Sequence, residues 1–133
     1  MSDAALEAFA ASMPFAKLVG LKFVRAEKAC VCATVTVGAE RCTAGGIAHG
    51  GFLMTVADCA GAIGAFLNLP EGAKGTTTTE SKTNLIAAAP AGSVLTATAV
   101  PVSVGRRLQV WQTRIETSEG KLVALTTQSQ MNL

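Results

Sequence analysis

The residues best suited to chemistry lie in one stretch, where His49, Gly50 and Gly51 are followed by Asp58. His49 is the only histidine in the chain, and Asp58 is the one ionisable carboxylate in the apolar run 52–67. This run is rich in alanine and leucine and apolar on every side, which predicts a buried helix. A buried carboxylate costs free energy unless a hydrogen bond or an opposite charge compensates it. Asp58 is therefore the first candidate for a catalytic residue.

The glycines that precede this helix predict a binding site for a developing oxyanion. A helix N-terminus presents unpaired N–H groups and the positive end of the helix dipole, so the amides of Gly50 and Gly51 suit this role. Glycine also lets a ligand approach the backbone closely. Eight helical residues separate Gly50 from Asp58, or about 12 Å along the axis. If both act on one carbonyl, Asp58 must come from the helix of a second subunit.

Composition predicts one domain over residues 1–133, with enough apolar residues for one sizeable core. The net charge of +2 and the absence of a basic run give no indication of a nucleic-acid partner. The run 50–67 is long enough to span a membrane, but Asp58 near its middle favours the core helix of a soluble protein. Four cysteines without a Cys-x2-Cys pair predict free thiols, no metal site and a cytoplasmic location. The N-terminus shows no pattern of a secretory signal.

The rest of the chain predicts elements that surround the central helix. Short turns join the last three strands, which predicts an antiparallel meander. The fold class is α+β, with a curled antiparallel sheet of about six strands around one long buried helix and a short N-terminal helix. The predicted elements are a helix over 3–12, strands over 21–26 and 29–37, the central helix from Gly50 to about Asn68, and strands over 76–86, 93–104, 108–116 and 121–131.

The segment Gly46-Ile-Ala-His-Gly-Gly51, with Asp58 nine positions after the histidine, resembles the signature of hotdog-fold acyl-CoA thioesterases. The PaaI-like and 4-hydroxybenzoyl-CoA thioesterase branch is the most similar. Pro14–Leu21, Thr79–Asn84 and Gly105–Arg107 resemble further segments of that family. The resemblance implies a hotdog fold, a homodimer or homotetramer, and hydrolysis of an acyl-CoA substrate without a cofactor.

The resemblance also implies roles for four catalytic residues. Asp58 occupies the position of the catalytic carboxylate, which acts as a general base or as a nucleophile. Gly50 occupies the position whose backbone N–H polarises the thioester carbonyl. His49 matches the histidine at the helix start, and Thr78 matches a strand hydroxyl that assists water or substrate.

Four more residues are candidates for substrate binding. Gly51 adjoins the predicted oxyanion site, and Thr43 stands where many members of the family have Asn or Gln. Arg106 and Arg107 lie at a hairpin turn, and arginine binds phosphates such as those of coenzyme A well.

Structural interpretations of the same residues are also open. Asp58 could be a buried acid bonded to a backbone or hydroxyl group, and His49 could be a helix cap. Thr78 could be an ordinary strand threonine, and the two arginines could be solvated.

Two other functions remain as alternatives to thioester hydrolysis. The first is a hydratase or dehydratase acting on acyl-CoA or an acyl-carrier protein. The second is a non-catalytic hotdog protein that binds acyl-CoA.

Overall fold

The computed structural model describes residues 1–133. The chain forms three α-helices and six strands, with a short 3-10 turn over Ala39–Arg41. The elements are α1 (Asp3–Ser12), α2 (Pro14–Leu18), β1 (Lys22–Glu27), β2 (Cys30–Thr36), α3 (Gly50–Leu67), β3 (Thr76–Leu85), β4 (Val94–Val104), β5 (Leu108–Thr117) and β6 (Leu122–Asn132). Every predicted element is present, with ends within one residue or so of the prediction. Helix α2 is the one α-helix that was not predicted, because Pro14 ends one helix and also begins the next.

All six strands form one sheet in the order β1-β2-β4-β5-β6-β3, and every neighbouring pair is antiparallel. The predicted meander of β4, β5 and β6 is confirmed. Strand β3 leaves α3 and joins the far edge of the sheet beside β6, so one side of β3 has no strand partner in this chain. The predicted curled sheet around one long helix is therefore the observed architecture.

A β-bulge in β3 decides which of its side chains face α3. Thr78 pairs with Gln130 and Glu80 pairs with Ser129, so Thr79 is the extra residue. Before the bulge Thr76 and Thr78 are half-buried, and after it Ser81 and Thr83 are. The bulge thus directs the Thr78 side chain toward α3 and leaves Glu80 exposed.

The prediction that α3 is buried on every side is wrong in one respect. Its length and mean hydropathy of 1.5 would suit a membrane span, yet only 56% of its residues are buried inside the fold. A stripe along one side stays partly or fully open, and Asp58 lies on it between Met54 and Phe66. Asp58 is accordingly half-buried rather than buried. An apolar stripe left open by its own sheet is a surface that another chain can cover.

Two glycines let α3 approach the sheet closely. A Cβ on Gly61 would lie 2.4 Å from the amide oxygen of Gln128, and one on Gly64 would lie 2.5 Å from the indole ring of Trp111. Trp111 is fully buried, as a packing role requires. Large side chains from the sheet therefore fill the space that these glycines leave.

We expect Gly64→Ala to lower the free energy of unfolding by about 1–3 kcal/mol, because the new methyl group overpacks the core against Trp111. Urea denaturation measures the change. Gly75→Ala is the matched control, since a Cβ there meets no atom within 4 Å and the position has no positive φ. Equal losses in both variants would contradict the tight contact between α3 and Trp111.

Candidate functional site

The N-terminus of α3 is shaped by His49, which caps the helix in an extended conformation (φ −66°, ψ 136°). The Gly51 N–H donates a hydrogen bond to His49 Nδ1 at 2.9 Å. Because Nδ1 accepts this bond, the ring proton of the neutral imidazole lies on Nε2, which can donate to a ligand. Gly51 is therefore already engaged by the cap. The Gly50 N–H has no partner within the chain and is a free donor at this end of the helix; the Phe52 N–H is also unpaired but belongs to a buried residue.

The loop before α3 is held in place by backbone hydrogen bonds. The His49 N–H donates to the Arg41 carbonyl at 2.9 Å, and the Ala48 N–H donates to the Ala89 carbonyl at 2.8 Å. The Thr43 hydroxyl accepts from the Gly45 N–H at 3.2 Å within this loop. The cap and the free Gly50 amide are thus fixed by the fold.

A cavity of about 340 Å³ opens beside the helix N-terminus. Thr43 and Gly50 both line it, so two predicted site residues share one cavity. Its remaining walls are apolar or small, formed by Ile47, Ala48, Leu53, Leu85, Ile86, Ala87 and Ala88. The cavity suits an apolar group placed next to the Gly50 amide.

Asp58 is held through one of its two carboxylate oxygens. The Thr78 hydroxyl lies 2.6 Å from Oδ1 and the Gln128 side-chain amide donates to the same oxygen at 3.2 Å. No group of the chain donates to Oδ2. The structure thus brings Asp58 and Thr78 together and adds Gln128, which the sequence analysis did not identify.

Gln128 belongs to a buried polar row on β6. Its amide nitrogen also donates to Gln130 Oε1 at 2.9 Å, and the Gln130 amide donates to the Thr76 hydroxyl at 3.1 Å. Both glutamines are essentially unexposed. The signal in the sequence was the alternation of Thr126, Gln128 and Gln130, which places polar residues on one face of β6. Sequence alone did not say that this face is the one that contacts α3.

The amide oxygen of Gln128 is buried and has no hydrogen-bond partner. An unsatisfied buried acceptor costs about 1–3 kcal/mol. The reverse amide orientation would cost more, because it would point this oxygen at the Asp58 carboxylate. The carboxylate thus determines which way the amide faces.

Cys59 adjoins Asp58 but is a poor nucleophile. Burial, with a smaller contribution from the Asp58 carboxylate, raises the pKa of the Cys59 thiol to about 11. The thiol is therefore protonated at neutral pH, whereas the reactive form of cysteine is the thiolate.

The predicted site residues fall into three places in a single chain. His49, Gly50, Gly51 and Thr43 lie at the N-terminus of α3, and Asp58 lies about 12 Å further along the same unbroken helix. Arg106 and Arg107 lie at the turn between β4 and β5, where their carbonyls accept hydrogen bonds from Asn132. Both arginine side chains are exposed and make no hydrogen bond to Asp58 or Thr78.

A family model described as the thioesterase superfamily matches residues 45–124. This range contains the capped N-terminus of α3, Asp58 and Thr78. The chain belongs to the thioesterase superfamily. The predicted family is confirmed.

A curated Haemophilus influenzae protein, provisionally named an esterase, is 38% identical to this thioesterase-superfamily chain over 90 residues. The match covers 66% of this chain and 64% of that protein, so the chain spans slightly less than two thirds of that relative's length.

Solved structures with the same fold include PaaI proteins of phenylacetic acid degradation. A mutant of PaaI from Thermus thermophilus is 29% identical with a TM-score of 0.84, covering 91% of this chain and 100% of that one. PaaI from E. coli is 24% identical with a TM-score of 0.87, covering 98% and 91%. A Streptococcus mutans protein, smu.793, solved bound to acetyl-CoA, is 22% identical with a TM-score of 0.79, covering 86% and 89%. The predicted hotdog fold is confirmed.

Proposed function

We propose that this protein hydrolyses an acyl-CoA thioester to the free acid and coenzyme A at sites shared between two subunits. The observation that carries the proposal is the pairing of a free helix N-terminal amide at Gly50 with a held carboxylate at Asp58. The Streptococcus mutans protein of the same fold binds acetyl-CoA, which supports a CoA thioester as the substrate.

In this proposal the Gly50 N–H binds the thioester carbonyl oxygen. As the carbonyl carbon is attacked, negative charge grows on that oxygen, and a fixed donor at the positive end of a helix dipole stabilises it. His49 supports this arrangement by engaging the neighbouring amide, which leaves its Nε2 proton available for a ligand. The apolar cavity beside Gly50 accommodates the acyl group, with Thr43 on its wall.

Asp58 supplies the base or the nucleophile. As a base, it takes a proton from water while the water oxygen bonds to the carbonyl carbon; the carbon–sulfur bond then breaks, and the sulfur leaves with the electron pair and receives a proton. As a nucleophile, a carboxylate oxygen bonds to the carbonyl carbon and expels the CoA thiolate, and water then cleaves the mixed anhydride. Both routes use a carboxylate held by Thr78.

A homodimer follows from this chemistry, because about 12 Å along one helix separates Gly50 from Asp58. The partly open stripe of α3 and the unpaired edge of β3 adjoin the Asp58 region and are suitable surfaces for a second copy. Antiparallel pairing of two copies would satisfy the unpaired backbone groups of the edge strand. We propose a dimer, or a tetramer made from two such dimers.

Thiol release from a panel of CoA thioesters tests the proposed function. The panel contains phenylacetyl, benzoyl and hydroxybenzoyl thioesters and acyl chains from short to long. We expect kcat/KM of about 10⁴ M⁻¹ s⁻¹ or more for at least one member. Hydration of enoyl-CoA without thiol release would instead favour a hydratase, and binding without turnover would favour a binding protein. Either result contradicts the proposal.

A further inference from the structure

We propose that Gln128 is a positioning residue that fixes the orientation of Asp58 and leaves Oδ2 as the reacting oxygen. The inference rests on the proposed function, since it assigns a role within the same site. Gln128 lies outside residues 45–124, the range that matches the thioesterase superfamily, so the family match assigns it no role.

Side chains from two neighbouring strands converge on the same carboxylate oxygen. Thr78 on β3 and Gln128 on β6 both contact Asp58 Oδ1, at 2.6 and 3.2 Å. The Thr78 hydroxyl has one proton and two acceptors within reach, Asp58 Oδ1 and Gln130 Oε1. Gln130 Oε1 already accepts from the Gln128 amide. With that proton on Asp58 Oδ1, the hydroxyl and the Gln128 amide together restrict rotation about the Asp58 Cβ–Cγ bond. Oδ2 receives no hydrogen bond from the chain, so it is the oxygen left to attack a carbonyl carbon or to take a proton from water.

The surroundings of Gln128 permit only one amide orientation. Its nitrogen faces three acceptors, namely Asp58 Oδ1, the Asp58 carbonyl at 3.5 Å and Gln130 Oε1. Reversing the amide would bring its oxygen against Asp58 Oδ1 and the Asp58 carbonyl, neither of which can donate a hydrogen bond. The oxygen instead stays unpaired in the core, so the arrangement satisfies the carboxylate and leaves the glutamine oxygen without a partner.

Helix α3 makes room for this contact with a glycine. Gly61 lies one turn beyond Asp58, and a Cβ there would meet the Gln128 side chain at 2.4 Å. Asp58 and Gly61 thus lie on the same face of α3, and the Gln128 amide contacts that face. A side chain at position 61 would displace Gln128 from Asp58.

Gln109 provides a matched control, because it is another fully buried glutamine that reaches α3 from the neighbouring strand. It donates to the Ala65 carbonyl and to Asn132, and it accepts from the Trp111 indole. Gln109 makes no contact with Asp58. A purely structural role for Gln128, as a link between sheet and helix, would make the two glutamines equivalent.

The kinetic experiment compares Gln128→Leu with Gln109→Leu on the best CoA thioester. We expect Gln128→Leu to lower kcat by about 10- to 100-fold with KM within threefold, because a misdirected carboxylate impairs the chemical step more than binding. Gln109→Leu should leave kcat within threefold even if it lowers Tm. In a protein that already carries Asp58→Asn, Gln128→Leu should lower kcat no further, because the carboxylate that Gln128 orients is then absent. Equal kcat losses in the two glutamine variants, or additive losses in the double variant, would overturn the proposal.

A second measurement does not depend on activity or on the folding of the leucine variants. The side-chain amide resonances of Gln128 and Gln109 are followed by NMR in the wild type and in Asp58→Asn. We expect the Gln128 resonances to shift and the Gln109 resonances to stay in place. If the Gln128 resonances do not respond, the proposed contact is wrong even when the protein is a thioesterase. If they respond but no thioester is hydrolysed, the contact stands and it is the proposed function that fails.

Discussion

Asp58→Asn is expected to lower kcat for thioester hydrolysis by about 10³-fold, within the range that loss of a general base or nucleophile produces. The amide has nearly the same shape as the carboxylate, and its oxygen can still accept from Thr78. The variant should therefore fold and bind substrate, so KM should change little. The measurement is thiol release under saturating substrate, with circular dichroism and Tm to verify folding.

Glu119→Gln is the matched control for this substitution. Glu119 lies in the turn between β5 and β6, away from α3 and β3, and its side chain is exposed. The same change of carboxylate to amide should alter kcat by no more than about twofold, because it touches no part of the site. If Asp58→Asn stays folded and retains wild-type kcat, Asp58 is a structural acid and the proposed catalytic role is wrong.

Gly50→Pro is expected to lower kcat by about 10²- to 10³-fold, the usual effect of removing one oxyanion donor. Proline lacks the N–H group, yet it is tolerated at the first position of a helix. The preceding residue, His49, already has the extended conformation that proline requires before it. The substitution therefore removes the donor with little cost to α3.

Gly50→Ala separates the missing donor from steric crowding. A Cβ at this position meets the tip of the Leu85 side chain at 2.7 Å, which is flexible and exposed. Alanine keeps the N–H and should keep kcat within about tenfold of the wild type, whereas proline should not. Equal losses in both variants would show that the effect is crowding by Leu85, and would contradict an oxyanion role for the Gly50 amide.

The two inactive variants together test whether each site is shared between subunits. Mixed dimers of Asp58→Asn and Gly50→Pro contain one site with an intact Gly50 and an intact Asp58, supplied by different chains. Random exchange at equal amounts makes half of the dimers mixed, so activity should recover to roughly a quarter of the wild-type value. No recovery, despite subunit exchange verified by mass spectrometry, would place both residues of each site in one chain.

The sequence by itself determined the order of elements and the positions of the candidate residues. Strands with alternating residues, the apolar helix and the turn glycines are local patterns with periods of about 2 or 3.6 residues, and such patterns are readable without the fold. His49 at the start of α3 and Asp58 within it were identifiable because a lone histidine and a lone carboxylate stand out in an apolar run. The spacing between Gly50 and Asp58 follows from helix geometry alone, and the prediction of a shared site rests on it.

The tertiary structure alone decided how these residues are arranged. The bulge at Thr79 selects the face of β3 that carries Thr78, and it leaves no recognisable mark in a run of four threonines. The pairing of β3 with β6 brings Gln128 to Asp58 across 70 positions of sequence, a contact that no local pattern encodes. The cap formed by His49 engages Gly51 and leaves Gly50 free, although the two glycines look alike in sequence. In each case the deciding interaction joins groups that only the folded chain brings within hydrogen-bonding distance.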